Sequence, residues 1–157
     1  MALRLVLAPG EGYEGLGRAL GIGVGAAHRS VRRLEKAQLV VRERREVLKS
    51  HLEEFVIHGL RYAFYVELGP ETLGIATAHV SGLLDGGRTF VWPSAHGTHR
   101  GESVTPLLPQ ALDMPQREPD LYRGLAAIDS IRLGGQRERA AAGEWFRAWL
   151  STPSPQR

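Results

Sequence analysis

The chain of 157 residues contains no cysteine, which excludes disulfide bonds, thiolate nucleophiles and zinc sites built on cysteine. It also lacks the run of about eighteen apolar residues that a transmembrane helix needs. The apolar run in its first residues, MALRLVLAPGEG, is too short for a secretory signal. We therefore expect a cytoplasmic protein with no membrane partner, and its 43% apolar content can support a buried core.

Lysine is nearly absent as well, since 18 of the 20 basic residues are arginine. The positive charge is concentrated: residues 1–62 have a net charge of +4 and residues 63–157 a net charge of −1. The segment 29–49 alone has eight basic and three acidic residues. A local basic segment is typical of a surface that meets phosphate, although a solvated charged face has the same composition.

Apolar spacing predicts three helices in the N-terminal part, over Leu3–Ala8, Tyr13–Leu20 and Val24–Ala37. The last two are separated by Gly21-Ile22-Gly23. We expect their packing to be fixed by six apolar residues: Leu16, Leu20, Ile22, Val24, Val31 and Leu34.

The remainder is predicted to be a mixture of helices, short strands and ordered loop. The expected elements are a strand at Leu39–Val41, a helix over Val47–His58, a strand over Arg61–Val66, a loop-rich Gly69–Gln116 with a strand at Thr89–Trp92, a helix from Leu121 to Arg132 and a helix over Arg137–Leu150. The fold class is therefore α+β, mostly α. We expect a helix–turn–helix domain over residues 1–59 and a C-terminal α+β region over residues 60–157.

The stretch LGIGVGAAHRSVRRLEKAQLV, from Leu20 to Val40, allows two interpretations. A phosphate-binding glycine loop needs a strand before the glycines, and here the preceding segment is helical in pattern. Two helices joined by a three-residue turn that contains glycine instead predict a helix–turn–helix. The outward side of its second helix would contact DNA through Gly25, Ala26, His28, Arg29, Arg32 and Arg33.

The stretch YEGLGRALGIGVGAAHRSVRRLEKAQLV resembles the helix–turn–helix of bacterial winged-helix regulators of the MarR and ArsR type. The resemblance covers about the first third of the chain. It implies a homodimeric, sequence-specific regulator that places Val24–Ala37 in the major groove of double-stranded DNA. Gln38 stands where these regulators often have a glycine that ends the helix.

The segment VVRERREV occupies the place of the wing but has no Gly, Asn or Asp turn signal. Two structures are therefore open: a stunted hairpin, or a loop. In either case Arg42, Arg44 and Arg45 are expected to contact the DNA backbone.

Nothing in the sequence indicates an enzyme, a cofactor or a metal site. His96 and His99 are spaced H-x-x-H in a glycine-rich stretch, without the further ligands that zinc needs. The candidate acid–base carboxylates, Asp85, Glu102, Asp113 and Asp120, are scattered among expected loops and caps.

Aromatic residues form two groups. The first is expected to be the core of the C-terminal region and comprises Phe55, Tyr62, Phe64, Tyr65, Phe90 and Trp92. The second, with Trp145 and Trp149 on one face of the last helix, is a candidate dimerisation surface.

The sequence favours a DNA-binding transcriptional regulator. The alternative is a protein-binding module, such as an antitoxin or accessory subunit, that keeps the helix–turn–helix for assembly or autoregulation. The long middle section, rich in Gly and Pro, is larger than a minimal regulator needs and suits a partner-binding role.

Overall fold

A computed structural model describes residues 1–41, 43–78 and 88–152. The fold is α+β and mostly helical, as predicted. It divides into two compact units: unit 1 comprises residues 1–54 and 150–152 of the described chain, and unit 2 comprises residues 55–149. The boundary lies between Glu54 and Phe55, whereas the sequence places it near Gly59.

Unit 1 begins with three helices. They are α1 (Ala2–Leu7), α2 (Tyr13–Leu20) and α3 (Val24–Lys36), and the predicted bounds are correct to within one residue. Strands β1 (Val40–Val41) and β2 (Glu46–Val47) follow, and then α4 (Lys49–Glu54). The strands pair antiparallel with Val40 opposite Val47, so the hairpin alternative for this segment is correct.

Helix α3 ends in a Schellman motif built on a residue other than glycine. Gln38 has a φ of 56°, its N–H donates to the Glu35 carbonyl at 2.9 Å, and the Leu39 N–H donates to the Leu34 carbonyl at 2.9 Å. The left-handed conformation crowds the Cβ of Gln38 against its own backbone, which costs free energy. Nδ1 of the exposed His51 ring lies 2.7 Å from the Gln38 carbonyl oxygen.

Replacing Gln38 with glycine is therefore expected to raise the free energy of unfolding by about 0.5–1 kcal/mol, because glycine adopts this φ without steric cost. Denaturant unfolding of the full chain measures the change. The neighbouring Ala37 has a φ of −80° and is the matched control. Ala37→Gly should destabilise, and stabilisation by both variants or by neither would contradict this interpretation.

In unit 2 a π-helical turn (Phe55–Gly59) leads into α5 (Leu60–Ala63). The strand predicted over Arg61–Val66 is therefore wrong: the segment is helical to Ala63 and irregular after it. The aromatic and β-branched residues that suggested a strand do not alternate between a buried and an exposed face, because Tyr62, Phe64 and Tyr65 are all exposed.

Three strands form a sheet that closes on itself. They are β3 (Gly69–Thr77), β4 (Phe90–Pro93) and β5 (His99–Ser103). β3 pairs antiparallel with both other strands, and β4 and β5 pair parallel with each other. The expected loop over Gly69–Thr77 is thus a nine-residue strand, while the strand near Thr89–Trp92 is confirmed.

Close backbone packing explains the glycines of this sheet. Gly74 is opposite both Pro93 and His99, and a Cβ added at Gly97 would overlap the backbone of Gly74. The glycines that made this region resemble a loop in the sequence are therefore the residues that allow its strands to close.

The remaining helices of unit 2 follow the sheet in the chain. A 3-10 turn (Pro109–Asp113) and α6 (Met114–Arg117) precede α7 (Pro119–Leu133), and α8 (Gln136–Ser151) follows. Helix α7 contacts β3. The largest buried side chains of the unit are Trp92, Phe146, Met114, Ile131, Val56, Val91 and Val104.

Candidate nucleic-acid interface

Helices α2 and α3 pack against each other across a tight turn. Leu16 and Leu20 of α2 and Ala27 and Val31 of α3 are buried at their apolar faces. Gly21 ends α2 with a φ of 65°, and the Ile22 N–H donates to the Gly17 carbonyl at 2.9 Å. The predicted pair of helices with a three-residue turn is confirmed in its geometry.

The start of α3 depends on Gly17 as well. A Cβ at Gly17 would lie 2.7 Å from the Ile22 carbonyl oxygen, so only glycine allows the turn to approach α2 this closely. Gly23 precedes α3 in an extended conformation, and no side chain caps the helix. The first N–H groups of α3 are therefore not covered by a capping side chain.

The side of α3 away from α2 is basic and open to solvent. Five of the six predicted contact residues on the helix are exposed, and the sixth, Ala26, is half-buried. The exposed five are Gly25, His28, Arg29, Arg32 and Arg33.

The arginines of this face differ in their partners. Among the residues that the structure describes, Arg29 and Arg32 form no hydrogen bond or ion pair, whereas Arg33 donates to the Ser30 hydroxyl at 3.2 Å. The Arg29 guanidinium lies over Gly25, with Nη1 3.4 Å from the position that a Cβ would occupy. Two unpaired cations one turn apart are therefore available to an outside anion.

Val24 is the exception to the expected apolar stripe. Its side chain is 49% exposed and does not fix α2 against α3. It is the first residue of α3, where the helix emerges from the turn, so the stripe effectively begins one turn later at Ala27. The expectation that Val24 packs between the helices is wrong.

The hairpin arginines do not behave alike. Arg44 is exposed in the turn between β1 and β2, and Arg42 lies outside the described residues. Arg45 has a φ of 49°, donates from Nη2 to the Gly10 carbonyl at 2.8 Å and lies 5.4 Å from the Tyr13 ring centre. Its Nε is buried without a partner among the described residues. We assign Arg45 to holding the hairpin turn beside the loop before α2.

Tyr13 joins this contact to α3. The His28 and Tyr13 rings are in T-shaped contact at a centroid distance of 5.1 Å and an interplanar angle of 82°. One tyrosine at the start of α2 therefore contacts a cation from the hairpin and an imidazole from the basic face of α3.

Unit 2 contains a buried ionic network that sequence reasoning missed. Asp129 on α7 is 1% exposed and accepts hydrogen bonds at 2.7 Å from the Thr77 hydroxyl and the Trp92 indole N–H. Its other oxygen accepts from Arg132 at 2.6 Å, and Arg132 also donates to the Phe64 carbonyl at 2.9 Å. The signal in the sequence was a carboxylate within the apolar run GLAAIDSI, with an arginine three residues later.

Burial sets the electrostatics of this network. Loss of solvation raises the pKa of the Asp129 carboxyl, while Arg132, Thr77 and Trp92 each act in the opposite direction. Burial likewise raises the pKa of Tyr122, whose hydroxyl donates to the Ala76 carbonyl at 2.6 Å. Two of the donors to Asp129, Thr77 and Trp92, belong to the sheet, so the network joins α7 to it.

The predicted aromatic core of unit 2 is correct for two of its six residues. Phe90 and Trp92 are buried, but Tyr62 is 75% exposed and Tyr65 is 72% exposed. Phe55 and Phe64 are also exposed. Exposed apolar residues continue to Leu68, and we call Tyr62–Leu68 the aromatic segment. A run of exposed rings on one segment is more typical of an interaction surface than of a core.

The tryptophans of α8 are half-buried. The Trp145 and Trp149 rings stack at a centroid distance of 6.4 Å, and Trp149 also stacks on the buried Phe146 at 5.8 Å. Their neighbours in α8 therefore cover part of both rings. The aromatic segment offers more exposed apolar surface than these two residues do.

No protein-family model, curated protein or solved structure matches this chain. The resemblance to winged-helix regulators therefore stays a prediction from the sequence. In residues 1–41, 43–78 and 88–152, no helix is long and apolar enough to cross a membrane. In the same residues no group of three or more His, Asp or Glu side chains is placed to hold a metal ion.

Proposed function

We propose that this protein is a DNA-binding transcriptional regulator that inserts α3 into the major groove of duplex DNA. The observation that carries the proposal is the basic face of α3, where Arg29 and Arg32 are exposed and unpaired among the described residues. These two cations lie on the side of α3 opposite the residues that pack on α2. Arginine at such positions suits guanine edges and phosphate oxygens.

The local architecture supports this role. A recognition helix needs a second helix to position it. Here α2 supports α3 through the buried Leu16 and Leu20. Gly25 near the start of α3 has no side chain to keep the backbone away from the floor of the groove. The β1–β2 hairpin follows α3 directly and presents Arg44 to solvent, which suits a phosphate contact beside the groove.

The regulator would act as a homodimer, because two copies of α3 are needed to read two half-sites about one helical turn apart. Among the described residues, the aromatic segment and the partly covered Trp145 and Trp149 are apolar surfaces that suit this contact. The partner DNA is double-stranded, and the role needs no cofactor.

Salt dependence tests the proposal. Each phosphate that the basic face neutralises releases condensed counterions, so four such contacts should lower the affinity about a hundredfold between about 50 and 200 mM salt. Fluorescence anisotropy with a random-sequence duplex pool and the full chain measures this change. Absence of binding at the lower salt concentration, or equal affinity at both, would rule out the DNA-binding role.

The aromatic segment supports a second candidate function, a protein-binding module. Arg132 fixes the Phe64 carbonyl, so the exposed rings of this segment are attached to a buried ionic network. In this alternative the helix–turn–helix serves assembly, and Tyr62 and Tyr65 dock on another protein.

Replacing Tyr62 and Tyr65 with serine separates the two candidates. Both side chains are largely exposed, so the variant should keep the melting temperature of the wild type. If the protein is a module, the wild-type chain purified from native cells retains another protein in a fixed ratio, and the variant loses it. The pure protein should then shift no DNA. If the variant and the wild type retain the same proteins, the module alternative is rejected.

A further inference from the structure

Val24 is the one large apolar side chain exposed in the described part of unit 1, with 49% of its surface open to solvent. The other exposed apolar side chains belong to unit 2. Val24 lies at the start of α3, one turn before His28 and two turns before Arg32. A single exposed branched apolar residue thus stands in line with the basic face described above.

The residues on either side of Val24 leave its side chain uncovered. Gly23 precedes it in an extended conformation, and a Cβ at Gly23 would meet no atom within 4 Å. Gly25 follows it, and the nearest atom to a Cβ there is Nη1 of Arg29 at 3.4 Å. Both chain neighbours of Val24 are glycines, so neither of them covers its isopropyl group.

An exposed apolar side chain and unpaired arginines on one helix match two features of the major groove. An arginine recognises guanine through O6 and N7, whereas an apolar side chain contacts the 5-methyl group of thymine. Because the start of a recognition helix approaches the base edges most closely, its first residues have the shortest reach to cover. A short branched side chain at this position suits a methyl group better than it suits a phosphate.

We propose that Val24 is a specificity-determining residue that contacts the 5-methyl group of a thymine in the recognised DNA site. The proposal rests on the DNA-binding function proposed above. It adds a chemical requirement, a methylated C5 on one pyrimidine, that the arginines cannot impose.

Deoxyuridine tests this directly, since it differs from thymidine only by the missing methyl group and keeps the same hydrogen-bonding edge. A duplex selected from a random pool by the wild-type chain is resynthesised with each thymine replaced in turn by deoxyuridine. At one position per half-site, wild type should bind the deoxyuridine duplex about fourfold more weakly, the effect of one buried methyl group. Val24→Ala should bind both duplexes equally at that position.

Leu68→Ala is the matched control, because Leu68 is similarly exposed, at 41%, and lies in unit 2. It should retain the fourfold preference for thymine. If wild type and Val24→Ala respond identically to every deoxyuridine replacement, the assignment of Val24 is overturned while DNA binding stands. If wild type selects no duplex at all, the proposed function fails, and the assignment fails with it.

Discussion

Replacement of Asp129 by alanine is expected to lower the free energy of unfolding by about 3–5 kcal/mol. The change would leave the Arg132 guanidinium, whose side chain is 5% exposed, without its buried counter-charge. The Thr77 hydroxyl and the Trp92 indole N–H would each lose the acceptor at 2.7 Å. Buried donors without acceptors retain their full desolvation cost, so the loss exceeds that of an ordinary hydrogen bond.

Asp120 provides the matched control for this prediction. It is an exposed aspartate in the first turn of the same helix, where a negative charge contributes only about 0.3–1 kcal/mol. Chemical denaturation of wild type, Asp129→Ala and Asp120→Ala would give the three free energies. Equal, small losses for the two variants would contradict the structural role assigned to Asp129.

The second large effect concerns affinity for DNA. Replacing both Arg29 and Arg32 with alanine should weaken binding to a preferred duplex by about 2–6 kcal/mol, because each base contact is worth about 1–3 kcal/mol. Both residues are exposed on α3 with no partner among the described residues, so their loss should leave folding unaffected. Fluorescence anisotropy at fixed salt measures the affinity, and circular dichroism verifies the helix content.

Arg44→Ala is the comparison for that variant. Arg44 is exposed in the hairpin turn, where it is expected to meet phosphate alone. Its loss should weaken binding to all duplexes alike and reduce the salt slope by about one unit. The ratio of the affinity for the preferred duplex to the affinity for random duplexes measures base reading. If the Arg44 variant and the double variant have the same ratio, α3 does not read bases.

The helix pair could be predicted from the sequence because it depends on local signals. Apolar residues recur at helical spacing in α2 and α3, and Gly21 marks the break between them. Gln38 shows the limit of such signals: a glutamine takes the left-handed position that glycine favours, held there by the two backbone bonds of the helix end.

The errors concern features that depend on residues distant in the chain. Strand β3 was missed because its pairing partners lie far along the sequence, and its glycines suggested a loop. The exposure of Tyr62 and Tyr65 cannot be read from the sequence, because large rings alone predict burial. The structural role of Asp129 depends on hydrogen bonds from Thr77 and Trp92. These partners are 52 and 37 residues away in sequence, so no local pattern indicates the role.

Arg45 shows that charge alone does not identify a phosphate contact. Charge alone placed it with Arg42 and Arg44 as a phosphate contact. In the structure the Arg45 guanidinium donates to the Gly10 carbonyl and lies over the Tyr13 ring. Composition records the charge of a segment, but only the fold shows which charges remain available to a partner.

Selection from random-sequence duplexes with the full chain shows whether the exposed face of α3 reads duplex DNA. We expect wild type to enrich one motif with half-sites about one helical turn apart. Arg44→Ala should enrich the same motif, and the Arg29→Ala, Arg32→Ala double variant should enrich none. If wild type enriches no sequence, or if the double variant recovers the same motif, α3 does not read duplex DNA.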